Sequence, residues 1–270
     1  MNSTTPLLIE DTNLSHAWSR VFLHIIDNPG KEISPLIITL TGFTNGAPNE
    51  DQVIRNELDN SLVANSKQKV NTVANTIFPA SYWRISKKNR QTLFNIYLKN
   101  LPRIKALAIS KNRRGLYFER LIAFDSSPNN GNQLEYIISQ YKKHPNSRRS
   151  MFQASIFDPA RDHIASAQLP FPCLQHVSFV PNNNNKTLTI NAFYATQLIF
   201  EKAYGNYLGL CKLGDFMAYE MGLTLERMNC FIGVAKMDTI AKSDSSLTTL
   251  TDLARKALCQ TTYEETSIGT

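Results

Sequence analysis

The sequence predicts a mixed α/β fold, α+β in the order of its elements, with a large mixed sheet covered by helices. Three observations carry this. Segments 13–26 and 132–143 repeat apolar residues at the three-and-four spacing of a helix with one buried face. Segment 203–221 is nearly apolar all round, as a helix buried on every side would be. Segment 36–40 and several runs after residue 150 are β-branched or alternate in the manner of strands.

In order, Leu14, Ala17, Trp18, Val21, Phe22 and Ile25 mark the first helix, with Thr12 or Asn13 as its cap and Asn28-Pro29-Gly30 as its stop. The strand 36–40 follows, then the turn Asn45-Gly46-Ala47-Pro48 and a polar helix over 50–63. A helix is expected over 88–101, ended by Pro102, and a strand over 115–124. Leu134, Ile137, Ile138 and Tyr141 give the face of the helix 132–143, which His144-Pro145-Asn146 breaks. Strands are then expected over 151–157 and 176–180, with an asparagine-rich hairpin at 182–186 leading into 187–194. Gly222 stands where the helix 203–221 needs a C-terminal glycine, and a strand over 228–236 and a helix over 247–258 complete the chain. No repeat or linker divides the sequence, so 1–270 is expected to form one domain.

Composition narrows the class. The chain has 270 residues and 42% hydrophobic content, enough for a sizeable core. It lacks a run of about 18 apolar residues, and its first residues lack the basic start and apolar stretch of a secretory signal. The expectation is a cytoplasmic protein with no membrane partner. Cys173, Cys211, Cys230 and Cys259 form no Cys-x-x-Cys pair and the five histidines are scattered, so no metal site is predicted. The net charge of +7 is dispersed over short clusters such as Lys111-Asn112-Arg113-Arg114, a solvated face by pattern. None carries the aromatic interleaving of an RNA-binding motif, and nucleotide phosphate explains the charge as economically as a nucleic-acid strand.

Cys173, in Phe171-Pro172-Cys173-Leu174-Gln175-His176, is the candidate nucleophile; buried core is the plainer role for a cysteine. A free thiol is only a few per cent thiolate at neutral pH and needs a favourable neighbour. Arg148 and Arg149 precede a strand expected beside the cysteine strand and could supply that field. His176, three residues on in an extended segment, should point away from Cys173.

Four short motifs, in order, resemble those of thymidylate synthases and their pyrimidine hydroxymethylase relatives. Gly115-Leu116-Tyr117-Phe118 is similar to a Gly-x-x-Tyr strand that places a tyrosine by the nucleophile. Pro145-Asn146-Ser147-Arg148-Arg149 resembles the Asp-Pro-x-Ser-Arg-Arg element, whose arginines grip substrate phosphate across a dimer interface. Phe171-Pro172-Cys173 resembles the Pro-Cys start of the nucleophile's strand, and Tyr204-Gly205-Asn206-Tyr207 stands in place of Pro-Phe-Asn, whose asparagine reads the pyrimidine edge. The helix with Trp18 and the Asn28-Pro29-Gly30-Lys31 turn resemble the family's N-terminal elements.

The resemblance implies a homodimer joined through a sheet face, a uracil-type pyrimidine nucleotide as ligand, and methylenetetrahydrofolate as one-carbon donor. It implies Cys173, Asn206 and Tyr117 as catalytic residues, Arg148 and Arg149 as phosphate ligands, and Gln175, Thr196, Lys236 and Asp238 as further ligand contacts. Departures stand beside it. Leu174 replaces a histidine, Ala195 replaces the arginine that precedes Thr196, and Leu198 replaces the aspartate that contacts the pterin. Lys236 and Asp238 replace the late histidine and tyrosine that hold the sugar, and Glu50 and Glu57 are the nearest substitutes for the missing glutamate base. Two functions follow from the resemblance: cysteine addition at C6 with transfer or exchange at C5, or a catalytically degenerate nucleotide-binding or assembly protein.

Overall fold

A computed structural model describes residues 5–112, 114–124, 129–165, 172–237 and 240–268. Its frame is a mixed seven-stranded sheet. β1 (Leu7–Asp11), β3 (Leu36–Leu40), β9 (Thr224–Lys236), β8 (Thr187–Leu198), β7 (Leu174–Asn182) and β6 (Gln153–Ser155) lie side by side in that order, and β2 (Glu32–Ile33) also pairs with β9. The pairs β1/β3 and β8/β9 are parallel and the others antiparallel. The minor strands β4 (Phe43–Thr44) and β5 (Ala47–Pro48) form a separate hairpin over the expected turn.

One face of the sheet is covered by helices. α1 (Leu14–Asp27) forms as its spacing predicts, and the Asn13 carboxamide accepts from the Ser15 and His16 amides as its cap. α2 (Gln52–Ala64) begins at the Asp51 cap. α10 (Tyr204–Met221) is buried on nearly all sides. It packs against α3 (Val70–Ile77) so closely that a Cβ at Gly209 would lie 2.8 Å from the Ala74 carbonyl oxygen. α8 (Gln133–Lys143) and α11 (Thr248–Ile268) complete the cover together with the short α4 (Ala80–Ile85) and α6 (Ile109–Asn112). Among the described residues no helix is long and apolar enough to cross a membrane.

Three expectations are corrected. The helix expected to stop at Pro102 is α5 (Arg90–Ala106) and runs through it. Pro102 is exposed, and so is Leu98, whose carbonyl it cannot bond. The stretch 115–124 contains no strand; α7 (Tyr117–Ile122) occupies it. Glu119 accepts from the Leu116 amide at 3.1 Å and pairs with Lys105 at 2.6 Å, which fixes the first turn. Over six residues Phe118, Leu121 and Ile122 satisfy a helical spacing as readily as alternation, and the cap decides. Finally, the strand expected over 151–157 shrinks to β6, because Arg149–Met151 is a tight helical turn and β6 is an edge with one neighbour.

The inward-facing alternation breaks on three adjacent strands at one level. On β8 the buried residues run Leu188, Ile190, Ala192, Tyr194 and then Gln197; on β9 Ile232 is followed by Ala235. On β7 an extra residue at Gln175 separates Leu174, opposite Tyr194, from His176, opposite Phe193. A bulge bends its strand and re-aims side chains; the register shift at this level lies between β7 and β8, while β8 and β9 stay in register. Gly233 permits the close approach here, since a Cβ on it would lie 2.9 Å from the Ala195 carbonyl oxygen. The cysteine lies at this level, one residue before β7.

Candidate functional site

Beside this bend lies a cavity of about 580 Å³. Its walls come from α3, α4, α5, the segment before α7 and its first turn, the residues just before β7, the end of β8, and α10. Cys173 lines it, one residue before β7, and is half-buried. Its carbonyl accepts from the Ala195 amide at 3.0 Å, which ties it to β8, and the Thr196 hydroxyl meets its sulfur at 3.7 Å.

Two other expected residues converge here. Asn206, 5% exposed near the start of α10, lines the same cavity. Tyr117 opens α7 and also faces it. Burial pushes the Tyr117 phenol well above its ordinary value, the neighbouring Cys173 adds to this, and the amides of Leu174 and Cys173 oppose it. It is therefore a neutral phenol beside the thiol. Thr196 belongs to the same group through its contact with sulfur.

The remaining sequence-derived residues lie elsewhere. Gln175 folds back to donate to the Pro172 carbonyl and is outside the cavity lining. Arg148 and Arg149 are exposed at the opposite end of β7; Arg149 lines a recess of about 260 Å³ with Asn182 to Asn184. Nine residues of β7 separate the two ends, roughly 30 Å, so the arginines supply no field to the cysteine of their own chain. Lys236 lies opposite Leu198 and Glu32 in the sheet and does not line the cavity. Asp238 and Phe171 fall outside the described residues. His176 bonds Gln153 at 2.7 Å, away from the cysteine as expected, and burial lowers its proton affinity. Neither Glu50 nor Glu57 reaches the cavity: Glu50 accepts from Tyr204 at 2.8 Å and pairs with Arg55, while Glu57 bonds Asn60 on α2.

Sequence reasoning missed several polar groups of the wall, the charged ones among them. Arg114, assigned to a solvated cluster, lines the cavity, as do Arg120, Gln197 and Lys202. Arg120 is buried and joined bidentately to Asp162 at 2.5 and 2.8 Å, so its charge is matched. Lys202 shares Glu201 with Lys67. Among the described lining residues there are three cations and no carboxylate, which suits a neutral or anionic ligand.

The other thiols differ in kind. Cys211 and Cys230 are fully buried, which pushes both thiols up, and Cys259 is exposed on α11. Cys173 alone among the four lines the cavity. No protein-family model matches the chain and no curated protein matches its sequence, which leaves the side chains around Cys173 as the ground for a functional reading.

Proposed function

We propose that the cavity binds a uracil-type pyrimidine nucleotide and that Cys173 adds to its ring, on a thymidylate synthase-like fold. The carrying observation is the convergence of Cys173, Asn206, Tyr117 and Thr196 on one cavity whose described lining has cations and no carboxylate. In the proposed step the thiolate forms a bond to C6, and the C5–C6 π electrons move onto the C4 carbonyl as an enolate. The Asn206 carboxamide donates to that oxygen. C5 then takes a proton from water or a one-carbon electrophile, the original C5 proton leaves to water, and the C6–S bond breaks to restore the thiolate.

Exchange at C5 is the form best supported, since Leu198 gives the wall an apolar surface where the resemblance expects a pterin-binding aspartate. Methylenetetrahydrofolate remains the one-carbon donor for the transfer form.

A homodimer is part of the proposal. The open face of the sheet carries Phe193 and Phe231, each 40% exposed and stacked at 5.6 Å, on one rung with Ile37. Joining two such faces would let the distant Arg148 and Arg149 serve the partner's cavity and bind phosphate there.

The lack of a carboxylate among the described lining residues favours a second reading, a binding or assembly protein without turnover. Incubation with 5-fluoro-dUMP, followed by intact-mass analysis, separates the two. An adduct absent from Cys173→Ala supports addition. Binding of dUMP with neither adduct nor loss of C5 tritium leaves the second reading standing. For the shared site, mixed Cys173→Ala and Arg149→Ala subunits should recover activity; subunit exchange without recovery would sink it.

A further inference from the structure

Gln197 is 2% exposed and lines the cavity, yet only half of its carboxamide is satisfied. Its Oε1 accepts from the Tyr207 hydroxyl at 2.7 Å. Its Nε2 is buried and has no hydrogen-bond partner among the described residues. Tyr207 is itself fully buried on α10, and burial holds its phenol protonated. A phenol has one proton to give, and the Gln197 carbonyl is the acceptor recorded for it. With the amide in this orientation the carbonyl end is taken and the N–H end is left over. A buried donor without a partner costs folding free energy and calls for an explanation.

The position supplies one. Gln197 follows Thr196, whose hydroxyl meets the Cys173 sulfur, at the level where three strands break their alternation. The break carries Gln197 to the helix side, where Tyr207 can hold it. Gln197 and Cys173 line the same cavity, so a ligand filling it would meet the carboxamide whose N–H end is left over.

We infer that Gln197 is a specificity residue whose N–H donates to a carbonyl oxygen of the bound ring, with Tyr207 as the residue that positions it. This rests on the pyrimidine reading above and adds to it a second carboxamide besides Asn206. The donor selects ligands that present an acceptor at that place, and rejects ones that present a donor or a poorly accepting atom.

The test measures dissociation constants of dUMP, 2-thio-dUMP and 4-thio-dUMP by calorimetry on the full chain. The proteins are wild type, Gln197→Leu, the isosteric Gln197→Glu and Tyr207→Phe, each checked for folding by circular dichroism. One of the two thio substitutions should weaken wild-type binding about tenfold, because sulfur accepts poorly. In Gln197→Leu that penalty should fall below about twofold, and in Tyr207→Phe it should shrink partway. Gln197→Glu should weaken dUMP itself by about tenfold or more, since an acceptor then faces the carbonyl. If Gln197→Leu does not fold, the Gln197→Glu and Tyr207→Phe comparisons decide alone. Thio penalties unchanged across the folded variants would overturn the assignment while leaving pyrimidine binding intact. Failure of all three nucleotides to bind wild type would overturn the pyrimidine reading, and this inference with it.

Discussion

The two faces of the sheet differ sharply on neighbouring rungs. Ile38, Cys230, Ala192 and Val177 pair across four strands and are all buried beneath helices. One residue away, Ile37, Phe231, Phe193 and His176 pair across the same strands and face outward. The next outward rung is polar: Thr39 bonds Asn229, Asn229 bonds Asn191, and Asn191 bonds Ser178. The covered face is closed by the chain's own helices, whereas the open face holds apolar rings that only a second surface can bury. Its amides satisfy one another, so nothing charged has to be desolvated along that rung when the face is covered.

Breaking the covered side should have the largest effect. Phe216, fully buried, packs against Phe78 at 5.1 Å and Trp83 at 5.0 Å. Phe216→Ala should cost about 3–5 kcal/mol, read as a lowered urea midpoint with unchanged slope. A loss below about 1 kcal/mol would show that α10 is not anchored as described.

The buried ion pair of the helix side comes next. Asp162→Asn leaves the Arg120 charge unmatched and should cost about 3 kcal/mol at neutral pH. The effect has a pH signature. Burial pushes the Asp162 carboxyl up, but bonds from Arg120 and the Asp158 amide, with the Arg120 and Arg114 charges, more than reverse this. The carboxyl therefore lies below its ordinary 3.8. Its contribution is complete above that unfolded value and is lost as pH falls through the lower folded value. The melting-temperature gap between wild type and variant should be flat near pH 7 and narrow only below about pH 4. A gap that narrows between pH 7 and 5 would contradict the pairing.

The open face should show the smallest effect on a single chain. The double change Phe193→Ser and Phe231→Ser removes partly exposed rings and should cost the isolated chain less than about 1 kcal/mol. In sedimentation velocity the wild type should run as a dimer and the variant as a monomer. If both run as monomers, the open face does not join two copies.

Much of the fold is legible in the sequence where one period dominates. α1, α8 and α10 follow their apolar spacing closely, and Asn13, Asn132 and Gly222 cap them as the local chemistry requires. Short elements were harder. α7 spans six residues, too few to separate helix from strand, and α3 carries its signal at Val70, Val73, Ala74 and Ile77 over only eight residues. β1 was not expected because Leu7–Asp11 alternates weakly and owes its strand to pairing with β3. At the site, Cys173, Asn206, Tyr117 and Thr196, which line one cavity, were named through the resemblance. Gln197 was not, because a glutamine in an apolar strand gives no sign of the hydroxyl that will orient it.

By itself the sequence determined the mixed helix-and-strand composition, the long buried helix and the cysteine that stands at a strand's start. Those depend on contacts within a few residues, where spacing and capping act directly. Only the tertiary structure decided which strands pair, and hence that Arg148 and Arg149 lie at the far end of β7 from Cys173. It also decided that the register shift between β7 and β8 falls beside Cys173, and that Thr196, Gln197 and Asn206 line one cavity with it. Strand order and register follow from packing across the whole sheet, and no short stretch of chain records them.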